Sequence, residues 1–151
     1  MNEFKSVDDI IDFAMGKEQE AADLYRDMAT KVESAATRKF FQELEKEELM
    51  HKARLKAMKE GKELVRIAPE ISDLKIGDYL TEAELKPGMD YQDGLIYGMQ
   101  AEKAEFRLYM DLADKADDEH LRNLLLTLAN EEAQHKLRLE LEYDEYVLTE
   151  N

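Results

Sequence analysis

Four stretches of this chain space their apolar side chains at alternating steps of three and four, which places them on one face of a helix. The last of them runs Leu125, Leu128 and Leu139, and the second runs Phe41, Leu44, Leu55 and Met58. In both, the middle of the stripe is polar: Glu132 and His135 in one, Glu48 and His51 in the other. The first stripe, Val7, Ile10/Ile11, Ala14, Ala21, Tyr25, Met28 and Val32, is interrupted by Glu18. The third, Gly98, Tyr109, Leu112 and Ala116, is interrupted by Glu102 and Glu105. An acid or an imidazole in a core position is costly unless it is partnered, so the pattern predicts helices that enclose a polar site.

End signals bound the four helices. The first starts after Ser6, with Asp9 completing a capping-box-like pair. A short turn near Glu33–Ser34 leads to the second, which ends at Gly61, a C-terminal cap. The third starts near Asp90, with Asp93 three residues on, and the fourth begins near Asp117–Glu119 and frays by about Tyr146. Short turns make the members of each pair antiparallel neighbours. Residues 61–89 differ: both prolines, Pro69 and Pro87, lie there with three of the six glycines. A helix of about 26 residues is about 39 Å long, a span that a segment of this length covers. The expectation is a crossover that makes the second and third helices parallel, with a helical turn at Asp73–Leu80 or Glu82–Leu85. The chain reads as one all-α domain over 1–151, a four-helix bundle made of a hairpin at about 7–60, a crossover at about 61–89 and a hairpin at about 90–146. Gly16, inside the first helix, costs about 1 kcal/mol against Ala; the sequence offers no firm account of it, and close packing against a neighbour is one reading.

The two hairpins repeat. A shift of 84 residues carries Glu18 onto Glu102, Tyr25 onto Tyr109, Glu48 onto Glu132 and His51 onto His135. Arg38 falls on Arg122, Leu44 on Leu128, Arg54 on Arg138 and Leu55 on Leu139, with no gap inside either half. Glu105 falls on Ala21, so the site is asymmetric at that one carboxylate.

Composition narrows the chemistry. The 151 residues contain no cysteine, which removes disulfides, thiolate metal sites and a cysteine nucleophile. A net charge of −15 argues against nucleic acid as a partner. No apolar run approaches the ~20 residues needed to span a membrane, and the N-terminus carries no signal pattern, so a cytoplasmic protein is expected. Most of the 36 acids suit a solvated helical surface. His120, at a helix start with no repeat partner, reads as a surface residue.

Glu-x-x-His on a helix places a carboxylate and an imidazole on one face about a turn apart. Five inward acids, Glu18, Glu48, Glu102, Glu105 and Glu132, cannot all be ionised in a dry core. Two divalent cations would neutralise most of that charge, with His51 and His135 neutral as ligands. Mixed carboxylate and imidazole donors suit iron or manganese, and zinc is a possible substitute. One Glu from each of two helices and Glu-x-x-His from each of the other two is the ligand set of ferritin-like di-iron carboxylate bundles.

The stretches Glu18-Gln-Glu-Ala-Ala-Asp-Leu-Tyr25, Glu48-Leu-Met-His51, Glu102-Lys-Ala-Glu105 and Glu132-Ala-Gln-His135 resemble the rubrerythrin family of the ferritin-like superfamily. The resemblance extends from about Val7 to Tyr146. It implies two irons held by Glu18, Glu48, His51, Glu102, Glu105, Glu132 and His135, with Glu48 and Glu132 bridging or chelating. It further implies that one iron exchanges the Glu105 carboxylate for His51 on reduction. Tyr25 and Tyr109 are candidate proton sources beside the ligands. Many rubrerythrins carry a rubredoxin-like domain with four cysteines around an iron; this sequence has none, so electrons would come from an external donor such as rubredoxin.

The resemblance therefore implies a non-haem di-iron peroxidase that reduces hydrogen peroxide to water. The same site acting on dioxygen, as a ferroxidase or oxidase, and an iron-binding protein without substantial turnover are the rivals, with a metal-free polar core as a structural alternative. A homodimer is expected, from the family and from spare apolar positions such as Leu95, Ile96 and Phe106.

Overall fold

The computed structural model describes residues 4–61, 79 and 89–150. Four helices account for nearly all of them: α1 (Val7–Thr30), α2 (Ala35–Glu60), α3 (Tyr91–Lys115) and α4 (Glu119–Glu150). The fold is an all-α, ferritin-like four-helix bundle, with no strand among the described residues.

The helices begin where their caps allow. Side chains of Ser6, Ser34, Asp90 and Asp118 accept hydrogen bonds from the backbone N–H three residues on, at 3.1, 3.3, 2.8 and 2.9 Å. Each satisfies one of the N–H groups that a first turn leaves without an intrahelical partner. The backbone N–H of Lys5 adds a 3.0 Å bond to Asp9. Gly61 caps α2 with φ −78°, so it takes no left-handed conformation there. α4 continues to Glu150 and does not fray near Tyr146. Tyr146 packs on Tyr91, ring centroids 5.0 Å apart, which gives that end of the helix something to bury against.

Contacts between helices give their directions. Lys59 meets Asp12 and Arg26 meets Glu45, so α1 and α2 are antiparallel. Tyr25 meets Glu102 and Tyr109 meets Glu18, so α1 and α3 are antiparallel as well. Arg54 meets Glu131 and Arg138 meets Glu43, which runs α4 against α2. α2 and α3 are therefore parallel. The crossover expected over 61–89, with its helical turns, falls outside the described residues apart from Gly61, Tyr79 and Met89. Tyr79 is buried and donates a 2.7 Å hydrogen bond to Asp111 on α3.

The core divides into two apolar clusters with a polar layer between them. One holds Ile10, Ile11, Leu55, Leu112, Leu121 and Leu125, and the other Leu24, Tyr25, Phe41, Leu44, Leu95 and Leu139. Along every helix the change from one cluster to the other falls at the polar positions of the stripe. Two expectations are corrected here. Leu95 is not a spare surface position: it is fully buried, on the same helix face as Gly98, while Ile96 and Phe106 are half-buried. Gly16 is not a close-packing site, because a Cβ there would meet nothing within 4 Å. Close approach occurs at Gly98, where a Cβ would lie 3.2 Å from Leu139 Cδ1 and 3.5 Å from the Tyr25 ring.

Candidate metal centre

All seven residues of the expected ligand set are buried in the middle layer: Glu18, Glu48, His51, Glu102, Glu105, Glu132 and His135. Six of them form two overlapping groups. Glu18, Glu48, His51 and Glu132 bring ligand atoms within 4.8 Å of one another, and so do Glu48, Glu102, Glu132 and His135. Glu48 and Glu132 belong to both groups; Glu18 with His51, and Glu102 with His135, belong to one each. Glu105 belongs to neither, although it lies beside Glu18 and Glu132. The two imidazoles are almost coplanar in orientation, 10° apart, with centroids 5.8 Å from each other.

Each histidine presents Nδ1 inward. His51 Nδ1 lies 3.5 Å from Glu18 Oε2 and in close contact with Glu132 Oε1. His135 Nδ1 lies 2.7 Å from Glu48 Oε1 and 3.5 Å from Glu102 Oε2. Nε2 turns outward to an acid on the opposite helix: His51 to Glu131 at 2.9 Å, and His135 to Glu47 at 3.1 Å. Arg54 Nη1 stands 3.2 Å from Glu131, and Arg138 Nη1 3.6 Å from Glu47. A carboxylate that accepts the Nε2 proton fixes the tautomer and leaves Nδ1 free to bind a cation. Glu47 and Glu131 were not among the residues singled out from the sequence. The signal for them is there, in the doubled acid of Glu47-Glu48-x-x-His51 and Glu131-Glu132-x-x-His135 at the same 84-residue shift.

The tyrosines join the hairpins. Tyr25 donates 2.7 Å to Glu102, and Tyr109 donates 2.7 Å to Glu18. Each hydroxyl therefore orients a carboxylate of the other half.

The electrostatics are those of a centre that holds too many acids for its own charge. Burial pushes Glu18, Glu48, Glu105 and Glu132 well above the usual carboxylate range, and neighbouring carboxylates add to it: Glu48 on Glu18, Glu102 on Glu48 and Glu132, Glu18 on Glu105. Burial pushes Glu102 up too, but the neighbouring His135 imidazole, with the Tyr25 hydroxyl, holds it below the ordinary value. Burial pushes His135 down, yet Glu102 and Glu47 raise it to about 9. At His51 burial prevails and lowers the imidazole in spite of Glu131. Without a cation, then, the centre favours the protonated form of Glu18, Glu48, Glu105 and Glu132, and the charged forms of Glu102 and His135.

Whether the residues fit a metal pair is answered by their unpartnered atoms. Among the described residues, the buried side-chain polar atoms without a hydrogen bond all belong to this set: Glu18 Oε2, Glu48 Oε2, His51 Nδ1, Glu102 Oε2 and both oxygens of Glu105 and of Glu132. Buried polar atoms are almost always paired, and a cluster of exceptions calls for an absent ion or solvent. Carboxylate oxygens with two imidazole nitrogens form a donor set for first-row divalent metals such as iron or manganese. His120 is exposed at the start of α4, as expected.

Fold and site define a class first: four-helix bundles with a buried carboxylate–imidazole centre of the di-iron type. The resemblance within that class is to Rubrerythrin, whose family model matches residues 93–151, which cover nearly all of α3 and α4. A solved structure of a hypothetical protein from Pyrococcus furiosus is similar over 93% of this chain and 89% of its own, with 27% sequence identity and a TM-score of 0.69. No curated protein matches the chain. The family and the buried Glu/His groups are compatible with a di-iron site. No helix among the described residues is long and apolar enough to cross a membrane.

Proposed function

We propose that this protein is a cytoplasmic non-haem di-iron peroxidase, which reduces hydrogen peroxide to water with electrons from an external donor protein such as rubredoxin. The observation that carries the reading is the sharing of Glu48 and Glu132 between two ligand groups. Glu18 and His51 would hold one iron and Glu102 and His135 the other, with Glu48 and Glu132 common to both. Two irons bound there would supply the two electrons that cleave the O–O bond.

The chain supplies the surroundings. The apolar clusters on either side exclude bulk water from the middle layer. The Tyr25 and Tyr109 hydroxyls stand one hydrogen bond from Glu102 and Glu18; burial and those carboxylates hold each phenol in its protonated form, so it keeps a proton at the ligand oxygen and orients it. The outward acids Glu131 and Glu47 keep the imidazole protons on Nε2. Glu105, buried and outside both groups, is the carboxylate that would alternate with His51 in the family's manner. A homodimer completes the reading.

The deciding experiment is stopped-flow oxidation of anaerobically Fe(II)-loaded protein by peroxide and by dioxygen at equal concentration. The peroxidase reading expects peroxide to react faster by orders of magnitude, consuming one peroxide for each pair of irons. Equal or faster reaction with dioxygen would overturn it in favour of a ferroxidase or oxidase. The alternative on the same ligand groups is an iron-binding protein without substantial turnover. Repeated turnover with added rubredoxin and its reductase would eliminate that alternative.

A further inference from the structure

We propose that the cavity between α1 and α3 is a binding site for a small neutral hydroxylic molecule, hydrogen peroxide or water, which reaches the buried centre by way of Glu105. The identity of the molecule rests on the peroxidase reading; the site itself rests on geometry. The cavity has a volume of about 10 Å³, close to what one water-sized molecule needs. Its walls include Ala21 of α1 and Ala101 and Ala104 of α3, whose small side chains leave the gap between the helices. At its outer rim Lys17 pairs with Glu20 at 3.1 Å, with side chains 24% and 45% exposed. Glu105 also lines it, only 3% exposed, with both carboxylate oxygens buried and unpartnered.

These features select a ligand. The volume excludes anything beyond a few heavy atoms. Glu105 oxygens accept hydrogen bonds, so a molecule with O–H groups is favoured over dioxygen, which has none to give. The rim cation, Lys17, is already paired with Glu20, and the net charge of −15 disfavours anions. Because Glu105 belongs to neither ligand group, it can bond such a molecule while the other six side chains keep their places.

The test reads occupancy and access, in the full chain. In crystals of the metal-free protein at high resolution, a water hydrogen-bonded to Glu105 is expected in the cavity. It should be absent in Ala104→Leu, with Ala101→Leu as the second variant should the first fail to fold. An empty cavity in the unaltered protein, or the same water in both variants, would overturn the site. In Mn(II)-loaded protein the enhancement of water-proton relaxation should fall several-fold in either variant, at unchanged metal content, and stay unchanged in Ala53→Leu on the exposed face of α2. Relaxation equal in all of them would likewise overturn it. Failure of the unaltered protein to take up Mn(II) would sink the metal reading instead, and the metal-free crystals would still decide the cavity.

Discussion

Glu47 and Glu131 lie outside both ligand groups, so their effect on cation binding can be separated from that of the ligands. Each accepts the outward proton of a histidine on the opposite helix and is held in turn by an arginine of the helix that carries that histidine. Loss of such an outer carboxylate costs metal affinity because the imidazole loses its fixed tautomer and part of its basicity. Glu47→Ala and Glu131→Ala should each weaken Mn(II) binding by about ten- to hundredfold in a competition titration. Glu43→Ala, which removes a half-exposed acid 3.7 Å from Arg138 with no histidine contact, should change it little. Equal effects at all three positions would mean that the acids act only through overall charge. The repeat contains this pair of outer acids, yet a chain with so many glutamates offers many such coincidences. Only the two short contacts to Nε2 single these out.

At the scale of the element, two of the helical glycines, Gly16 and Gly98, have opposite roles although both interrupt amphipathic helices. Gly16 is exposed in α1 and open around its Cα, so it carries the helix-propensity cost of glycine with no packing return. Gly16→Ala should stabilise the protein by about 0.8–1 kcal/mol in urea unfolding. Gly98 faces Leu139 and Tyr25, and Gly98→Ala should destabilise by roughly 1–3 kcal/mol, since a methyl there would lie 3.2 Å from Cδ1 of the fully buried Leu139, which has to shift to admit it. If Gly16→Ala proved neutral or harmful, the openness of that position would be the wrong explanation of its glycine. Helix limits were legible because caps and apolar periodicity are local: Ser6, Ser34 and Asp90 all cap as their sequence positions imply. The end of α4 was not, because the Tyr91–Tyr146 contact that supports it joins residues from different helices.

For the whole molecule, the buried acids make stability, pH and metal one linked quantity. Glu18, Glu48, Glu105 and Glu132 have folded pKa values raised by burial above their unfolded ones. Between those values the folded state holds more protons than the unfolded state, so the metal-free protein loses stability as pH rises. Its full contribution is present below the unfolded carboxylate pKa and disappears on passing through the raised folded values. Metal binding has the opposite slope, because cations displace those protons. The Tm of metal-free protein should therefore be higher at pH 5 than at pH 8, and the rise in Tm on adding Mn(II) should be larger at pH 8. Both differences should shrink in Glu132→Gln. A metal-independent Tm at both pH values would leave a polar core with no cation.

The sequence by itself determined the four helices, the face each one buries, the two Glu-x-x-His pairs with their companion acids, and the internal repeat. These follow from spacing along one helix, which is fixed by 3.6 residues per turn and needs no knowledge of a neighbour. It also held the asymmetry at Glu105, since the other half has Ala21 there. What only the tertiary structure decided is how the halves interlock. Tyr25 reaches Glu102 across 77 residues and Tyr109 reaches Glu18 across 91, each hydroxyl serving the opposite hairpin. Glu48 and Glu132 are shared, Glu105 stands apart beside a cavity, and Leu95 is core. Such contacts depend on the angle and separation at which helices from different hairpins meet, and no periodicity along one chain segment encodes them.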